Sequence, residues 1–318
     1  MTRTRVALGL VALYLIWGST YLAIRIGLRD IPPMAMGAVT FLVAGALLYG
    51  WALQHGDGVP SGPELHRALV AGCLLIGGGM GGILWAEQAL PSGVTALLIA
   101  SITFWMVLLD AVLPHARHQP GPTHWTSLLG LAIGAAGLIW LLRLSARAHG
   151  GSPEYIDAPS SMVLLAGCLA WALGSLYLSR SPRPRSGALS TALQMLAGGV
   201  LLLAASLGRG ELSHPVHLSR AAGAALLYLT LLDSLLGFSV YNWLLRHTSA
   251  ARVSTYALVN PVVAIGLGWA VGGEHFTVRM LAAAAVVLAG VALILSTQPS
   301  PDLMSMPCPA SSDQSGLE

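Results

Sequence analysis

Ten mostly apolar runs, each about 20 residues long, divide this chain of 318 residues. About 20 residues is what an α-helix needs to cross a bilayer core. The runs lie at roughly 6–26, 34–53, 67–88, 91–113, 124–143, 161–180, 187–208, 219–245, 249–271 and 277–296. Backbone at that depth has no water to bond, so each run must satisfy its own amides as a helix. The pattern predicts an all-α integral membrane protein with ten transmembrane helices. The breaks carry turn-forming residues: Asp30-Ile31-Pro32-Pro33, Gly56-Asp57-Gly58, Arg117 to Pro122 and Ser181-Pro182-Arg183-Pro184-Arg185. Pro91 opens the fourth run, where a missing N–H costs least.

Charge is too scarce for most other classes. Only 9% of residues are charged, and the 16 basic residues, all Arg, stand against 13 acidic ones. Spread this thinly they make no patch for nucleic acid, and they leave a soluble enzyme without a polar surface. Cys73, Cys168 and Cys308 show no C-x-x-C spacing or Cys/His cluster, so they read as small buried hydrophobes. No metal and no cofactor is expected. The first 26 residues read as an uncleaved span, because Trp17, Tyr21 and Arg25 stand where a small-residue cleavage site would be. With the N-terminus inside, Arg3, Arg5, Arg67, Arg117, Arg180, Arg183, Arg185, Arg246 and Arg252 fall on the cytoplasmic side. The expectation is a multi-pass inner (plasma) membrane protein with both termini cytoplasmic.

The ten runs fall into two similar halves. Trp17-Gly18-Ser19-Thr20-Tyr21-Leu22 is echoed by Trp171-Ala172-Leu173-Gly174-Ser175-Leu176-Tyr177-Leu178. Gly130-Leu131-Ala132-Ile133-Gly134 and Ala289-Gly290-Val291 lie in the last run of each half. The repeat is about 155 residues, or five spans. An odd number of spans gives the halves opposite orientations, a transporter device with the solute near the midplane where the repeats meet. The divisions expected are a first repeat over 1–145, a connecting loop over 146–160, a second repeat over 161–296 and a disordered cytoplasmic tail over 297–318.

Three stretches add a resemblance: Tyr14-Leu15-Ile16-Trp17-Gly18-Ser19-Thr20-Tyr21 through Ile26-Gly27, then Pro91-Ser92-Gly93-Val94, then Val259-Asn260-Pro261-Val262-Val263-Ala264 through Gly272-Gly273-Glu274. In order and spacing the chain resembles drug/metabolite transporters of the EamA-domain kind, over residues 6–296, and within them the YedA-like inner-membrane permeases. The resemblance implies two EamA repeats, ten helices and export of small metabolites or drugs. Thr40-Phe41 stands where the group usually has Arg-Phe, Thr103 where a proline is expected, and Gln194 where a glutamate is expected. Asp233 stands where the resemblance implies a small or apolar residue.

Ionisable groups inside a bilayer cost at least about 2.5–3.5 kcal/mol on insertion scales, so each needs a reason. Asp233, in the eighth run, reads as a protonatable or cation-pairing carboxylate facing a cavity, as one near a membrane interface, or as one merely bonded to Ser234 or Thr230. With Gly237 and Tyr241 it shares a helix face. Asn242 faces away unless that helix is broken. Glu87, ending the third run, would bind a solute amine, seal a gate or simply meet solvent. Glu274 reads as an interface residue or ion-pair partner. Asp110 shares a face with Thr103. Arg25 reads as snorkelling to headgroups. Pro261 frees the carbonyl of Ala257, beside Asn260 and Tyr256, making a binding or hinge element or a packing kink. Trp17, Tyr21, Trp171 and Ser175 are candidate cavity wall, where a flat ring holds an apolar or cationic solute. Trp51, Trp125 and Trp140 read as membrane-interface aromatics. The Gly77–Gly82 stretch lacks a following Lys and is no phosphate loop; Gly78 and Gly82 read as close-packing or bending points.

The function these residues favour is secondary export of a small-molecule solute, such as amino acids, amines or amphipathic compounds, by alternating access. Partners are the solute and the lipid bilayer, with energy from the solute's own gradient (uniport) or from protons (antiport), and the protein a monomer or homodimer. The alternative is an intramembrane enzyme, for which no nucleophile–base pair or metal constellation is found in the sequence.

Overall fold

The structure, a computed structural model, describes residues 3–112, 125–147, 156–182, 184–213, 215, 217–248, 253 and 255–296. The expected tail over 297–318 lies outside the described residues, as do 148–155 of the connecting loop and 249–252 of the ninth run. The described residues form helices and turns, without strands.

The helices are α1 (Arg3–Gly27), α2 (Pro33–Gln54), α3 (Gly62–Ala86), α4 (Ser92–Ile99 continued by Ile102–Val112) and α5 (Trp125–Arg147). The second set is α6 (Ala158–Arg180), α7 (Gly187–Gly208), α8 (220–247), α9 (Tyr256–Ala270) and α10 (Val278–Ser296). Nine of them are long and apolar enough to cross a membrane, and α9 as described is shorter. This is a multi-pass membrane protein.

Three spans expected as plain helices are interrupted. In α4 the chain tightens: Ser101 N–H bonds the Leu98 carbonyl and Thr103 N–H that of Ala100, three residues back instead of four. Buried Cys168 of α6 donates its thiol to the same Leu98 carbonyl at 3.8 Å. The break therefore forms next to Thr103 with no proline present. In α3 and α8 the opposite happens. Cys73–Met80 and Leu229–Gly237 are wound in wider π-helical turns, which are often functional. Separated by about the repeat length, these two segments occupy equivalent places in the halves. One cysteine departs from expectation: Cys73 is exposed, because it points out of the bundle, whereas Cys168 is buried.

The packing shows the repeat directly. Helix α2 packs on α7, α4 on α9 and α5 on α10; α1 packs on α8 and α9, as α6 packs on α3 and α4; α2 packs on α8, as α7 packs on α3. Moving every helix five places along the chain maps this set on to itself. Ten helices form two inverted five-helix repeats, and the equivalent helices α2 and α7, α4 and α9, and α5 and α10 pack on each other. Trp51, Trp125 and Trp140 lie exposed on the outside, where amphipathic rings meet headgroups.

Helix ends are tied across the halves. At the face where α1 ends, Asp30 accepts from the Ser219 backbone N–H at 2.9 Å, and Glu211 from the Ala35 N–H at 2.9 Å. The Ser219 hydroxyl and amide hold the Asp30 carboxyl below the usual carboxylate range. Its contribution is therefore present at neutral pH and lost as the pH falls into the acid range. At the opposite face Glu64 accepts from the Arg185 N–H at 3.0 Å, and Asp57 from the Ser186 hydroxyl.

Candidate functional site

The equivalent tryptophans of the two halves meet at the centre. Trp17 of α1 and Trp171 of α6 stand edge to face, with ring centroids 6.0 Å apart. Around Trp17 close Tyr241 at 5.0 Å, Tyr256 at 5.1 Å and Phe238 at 5.7 Å. Such offset and edge contacts suit the ring quadrupoles. Trp17, Trp171, Phe238 and Tyr256, though not Tyr241, line a cavity of about 40 Å³, whose wall also includes Thr20, Tyr21, Met80 and Asp233. That is room for a few waters at most, against about 300–1,000 Å³ for a ligand pocket. The centre is closed in this conformation.

Asp233 reaches the cavity from the wide turn of α8. It is 2% exposed, and Thr20 of α1 donates its hydroxyl to Asp233 Oδ1 at 2.7 Å. The neighbours considered from sequence are not its partners. Thr230 turns its hydroxyl to the Leu226 carbonyl, and the buried Ser234 hydroxyl has no hydrogen bond. Gly237 follows on the same face, where an added Cβ would lie 2.7 Å from Trp17 Nε1. Tyr241 continues that face. Asn242 bonds back to the Phe238 carbonyl of its own helix.

The other candidates divide. Trp17, Tyr21, Trp171, Asp233 and Tyr256 line the cavity. Ser175 donates to the Trp171 carbonyl at 2.8 Å and lies beside Tyr241. Asn260 is 2% exposed and neighbours the Tyr21 side chain, yet neither end of its amide makes a well-formed hydrogen bond. Pro261 sits inside α9, so the Ala257 carbonyl loses its usual N–H donor there. Thr103 is buried, but Ile99 and Ile102 supply the α4 wall instead. Gly78 and Gly82 hold α3 against α6: added Cβ atoms would lie 2.8 Å from Ala170 Cβ and 3.1 Å from Gly167 Cα.

Glu87 is the strangest group in the bundle. It is 4% exposed, and neither carboxylate oxygen has a hydrogen-bond partner. It also caps the C-terminal end of α3, where the helix dipole is negative and disfavours a carboxylate. The positive charge of Arg25 lies near, but it is opposed by the Glu274 carboxylate.

Beyond Glu87 lies a tie that the sequence undervalues. Gly273, at φ 66°, turns the chain after α9, a left-handed position that suits glycine. Glu274 is thereby carried back over the start of α4. It accepts from Ser92 N–H at 2.8 Å and Gly93 N–H at 3.3 Å, and pairs with Arg25 at 3.3 Å. Arg25 also donates to the Leu90 carbonyl at 3.3 Å. This corrects the headgroup reading of Arg25: the guanidinium turns inward, because a buried carboxylate and a free carbonyl attract it more than the interface does. Glu274 is an ion-pair partner, as one of its sequence readings has it.

A larger open groove, of about 400 Å³, lies between α3, α6 and α7. Its one charged wall residue, Arg209, is spent on Trp85, 4.0 Å below it, and on Glu211 at 3.5 Å. The central cavity is the better candidate, since buried polar groups converge there.

Comparison with known proteins agrees with this geometry. The model of the EamA-like transporter family matches residues 4–143 and again residues 159–296. The chain belongs to the EamA-like transporter family. "Uncharacterized inner membrane transporter YedA" of Escherichia coli strain K12 is 37% identical over 288 residues, covering 90% of this chain and 89% of that protein. "Probable amino-acid metabolite efflux pump" of Salmonella typhimurium strain LT2 is 25% identical, covering 87% of this chain and 90% of its own length. A crystal structure aligns with a TM-score of 0.60 at 22% identity, covering 92% of this chain and 96% of its own. That likeness speaks for the fold alone.

In this EamA chain, Thr20 and Phe238 are wall residues that sequence reasoning did not single out. Thr20 sits one place from Tyr21 inside the Trp17 motif, and its register, i+3 from Trp17, was the available signal. For Glu87 the structure makes a clear prediction. Replacing Glu87 with Met removes an unsatisfied buried acid, whose desolvation is worth about 1–3 kcal/mol. The expected result is a raised thermal midpoint in detergent together with slower transport. A variant that is both less stable and fully active contradicts a solute-facing role.

Proposed function

We propose that the chain is a secondary active transporter that exports small metabolites or drugs (amino acids, amines or amphipathic compounds) by alternating access. The observation that carries this reading is the closed cavity between the repeats, where Trp17 and Trp171 meet and Asp233 contributes a carboxylate. A centre too small to hold a solute is one stage of a cycle in which one repeat rocks against the other. The moving bodies are the repeats over 1–145 and 161–296, joined by 146–160. Glu64 and Asp57 tie them at one face; Asp30, Glu211 and Glu274 tie them at the other. The first face is cytoplasmic in an inner membrane, with both chain termini on that side, as the arginine distribution favours. Protons are the coupling ion, and Asp233 is the group that carries them.

Flux from proteoliposomes without ATP tests the reading. The expected result is movement of at least one solute from a broad amino-acid, amine and drug panel, driven by its own gradient or by pH. No movement across the whole panel removes the proposal's support. Asp233→Asn is expected to abolish the pH dependence of that flux; an unchanged profile takes Asp233 out of proton coupling.

A further inference from the structure

The cavity's chemistry narrows the solute further, on the footing of the transporter reading above. Among the described residues that line it, Asp233 is the one charged group, and no Arg or His accompanies it. The nearest ion pair, Arg25 with Glu274, is already closed on itself and on the start of α4. An anionic solute would set a second negative charge beside Asp233 without a counter-ion. A zwitterion would leave its carboxylate near Asp233 with neutral donors alone, such as the Trp171 Nε1–H, which makes no well-formed hydrogen bond, to receive it. A neutral solute would leave the buried carboxylate with a proton as its one means of neutralisation.

A monocation removes all three difficulties. It neutralises Asp233, and the aromatic wall adds cation–π attraction worth about 0.5–2 kcal/mol. Trp17 has ring neighbours on several sides at 5.0–6.0 Å, so its enclosure excludes water, which strengthens that attraction. The wall also argues against an inorganic cation. Hard cations demand several oxygen ligands in place of their water, and here one carboxylate is set among rings and aliphatic side chains such as Met80, Ile83 and Ile99. A nitrogen cation clothed in alkyl or aryl groups carries little water to replace and has apolar surface to bury.

We propose that the central cavity is a binding site for organic monocations, with the ammonium of an N-alkylated amine seated against Trp17 and Tyr256 and Asp233 as its counter-ion. The cavity widens to admit such a solute, and the wide turns of α3 and α8 flank it where Met80 and Asp233 stand.

The test uses the full chain in lipid nanodiscs and equilibrium binding of radiolabelled benzyltrimethylammonium. Competitors are neopentylbenzene, which has the same shape with carbon in place of the charged nitrogen, and phenylacetate, an anion. The expected result is saturable binding that neither competitor displaces. Asp233→Asn removes the counter-ion and should weaken it about 30-fold or more, the factor to which about 2 kcal/mol, the low end for losing one partner of a buried charge pair, corresponds. Trp51→Phe, at an exposed ring, should bind as the unaltered chain does. The competition series needs no variant, so it decides the matter even where Asp233→Asn fails to accumulate. Displacement by neopentylbenzene or phenylacetate, or no saturable binding, overturns the cation assignment. If another solute still crosses without ATP, the transporter reading survives that loss. If benzyltrimethylammonium binds but no solute in the panel crosses, the site stands and the transporter reading falls.

Discussion

Gly290→Leu should leave little folded protein, the largest effect expected of any single change here. Where α10 crosses α5, an added Cβ on Gly290 would lie 2.4 Å from Gly134 N, 2.5 Å from Gly134 Cα and 2.6 Å from Gly130 O. These obstacles are main chain and cannot swing aside. The two helices must separate, and in lipid close packing is a chief source of helix association. Overpacking usually costs about 1–3 kcal/mol and occasionally more; with backbone against backbone, about 3 kcal/mol or more is expected. The fraction that elutes as a single species after detergent extraction measures it. Gly266→Leu is the control, because nothing lies within 4 Å of a Cβ built there. Equal yields from the two variants would mean that α5 and α10 do not cross in this way.

Glu274→Gln is the second. The carboxylate caps α4 through two backbone N–H groups and holds Arg25. A lost cap costs about 0.5–2 kcal/mol, and a hydrogen bond to a charged group about 1.5–3 kcal/mol. The terms overlap, and Arg25 is 36% exposed in its side chain, so screening reduces its share. A net loss of about 2–4 kcal/mol is expected, read as a lowered thermal midpoint. Arg25→Gln added to Glu274→Gln should cost little more than Glu274→Gln alone, since the partner is already gone. Additive losses would show that the two residues act separately.

The helices were legible because a bilayer sets their length, and the repeat because its last spans keep their glycines where they cross. Trp17 and Trp171 were legible as equivalents, and the structure puts them in contact. Asp233 stood out because a chain with so few charges has no ordinary use for one in mid-span. The wide turn of α3 showed only as a glycine-rich bending stretch, and that of α8 was not read as a turn, since one wider turn barely disturbs a largely apolar run. Glu274 was undervalued for a different reason. Its partners Ser92 and Gly93 lie 182 and 181 residues away, and a helix start becomes an anion site only when the fold brings an acid to it. Arg25 was misread with it, since its inward partner was invisible.

The wide turns carry one more consequence. They are repeat-equivalent, yet Leu229–Gly237 holds Asp233 while Cys73–Met80 holds Gly77, Gly78 and Gly79. Two identical halves would make the inward-open and outward-open forms equivalent by a two-fold rotation and equal in energy. A carboxylate in one half, where the equivalent turn of the other has glycine, lifts that degeneracy. The empty protein should then rest with a preferred side open, and neutralising Asp233 should redistribute it between the two.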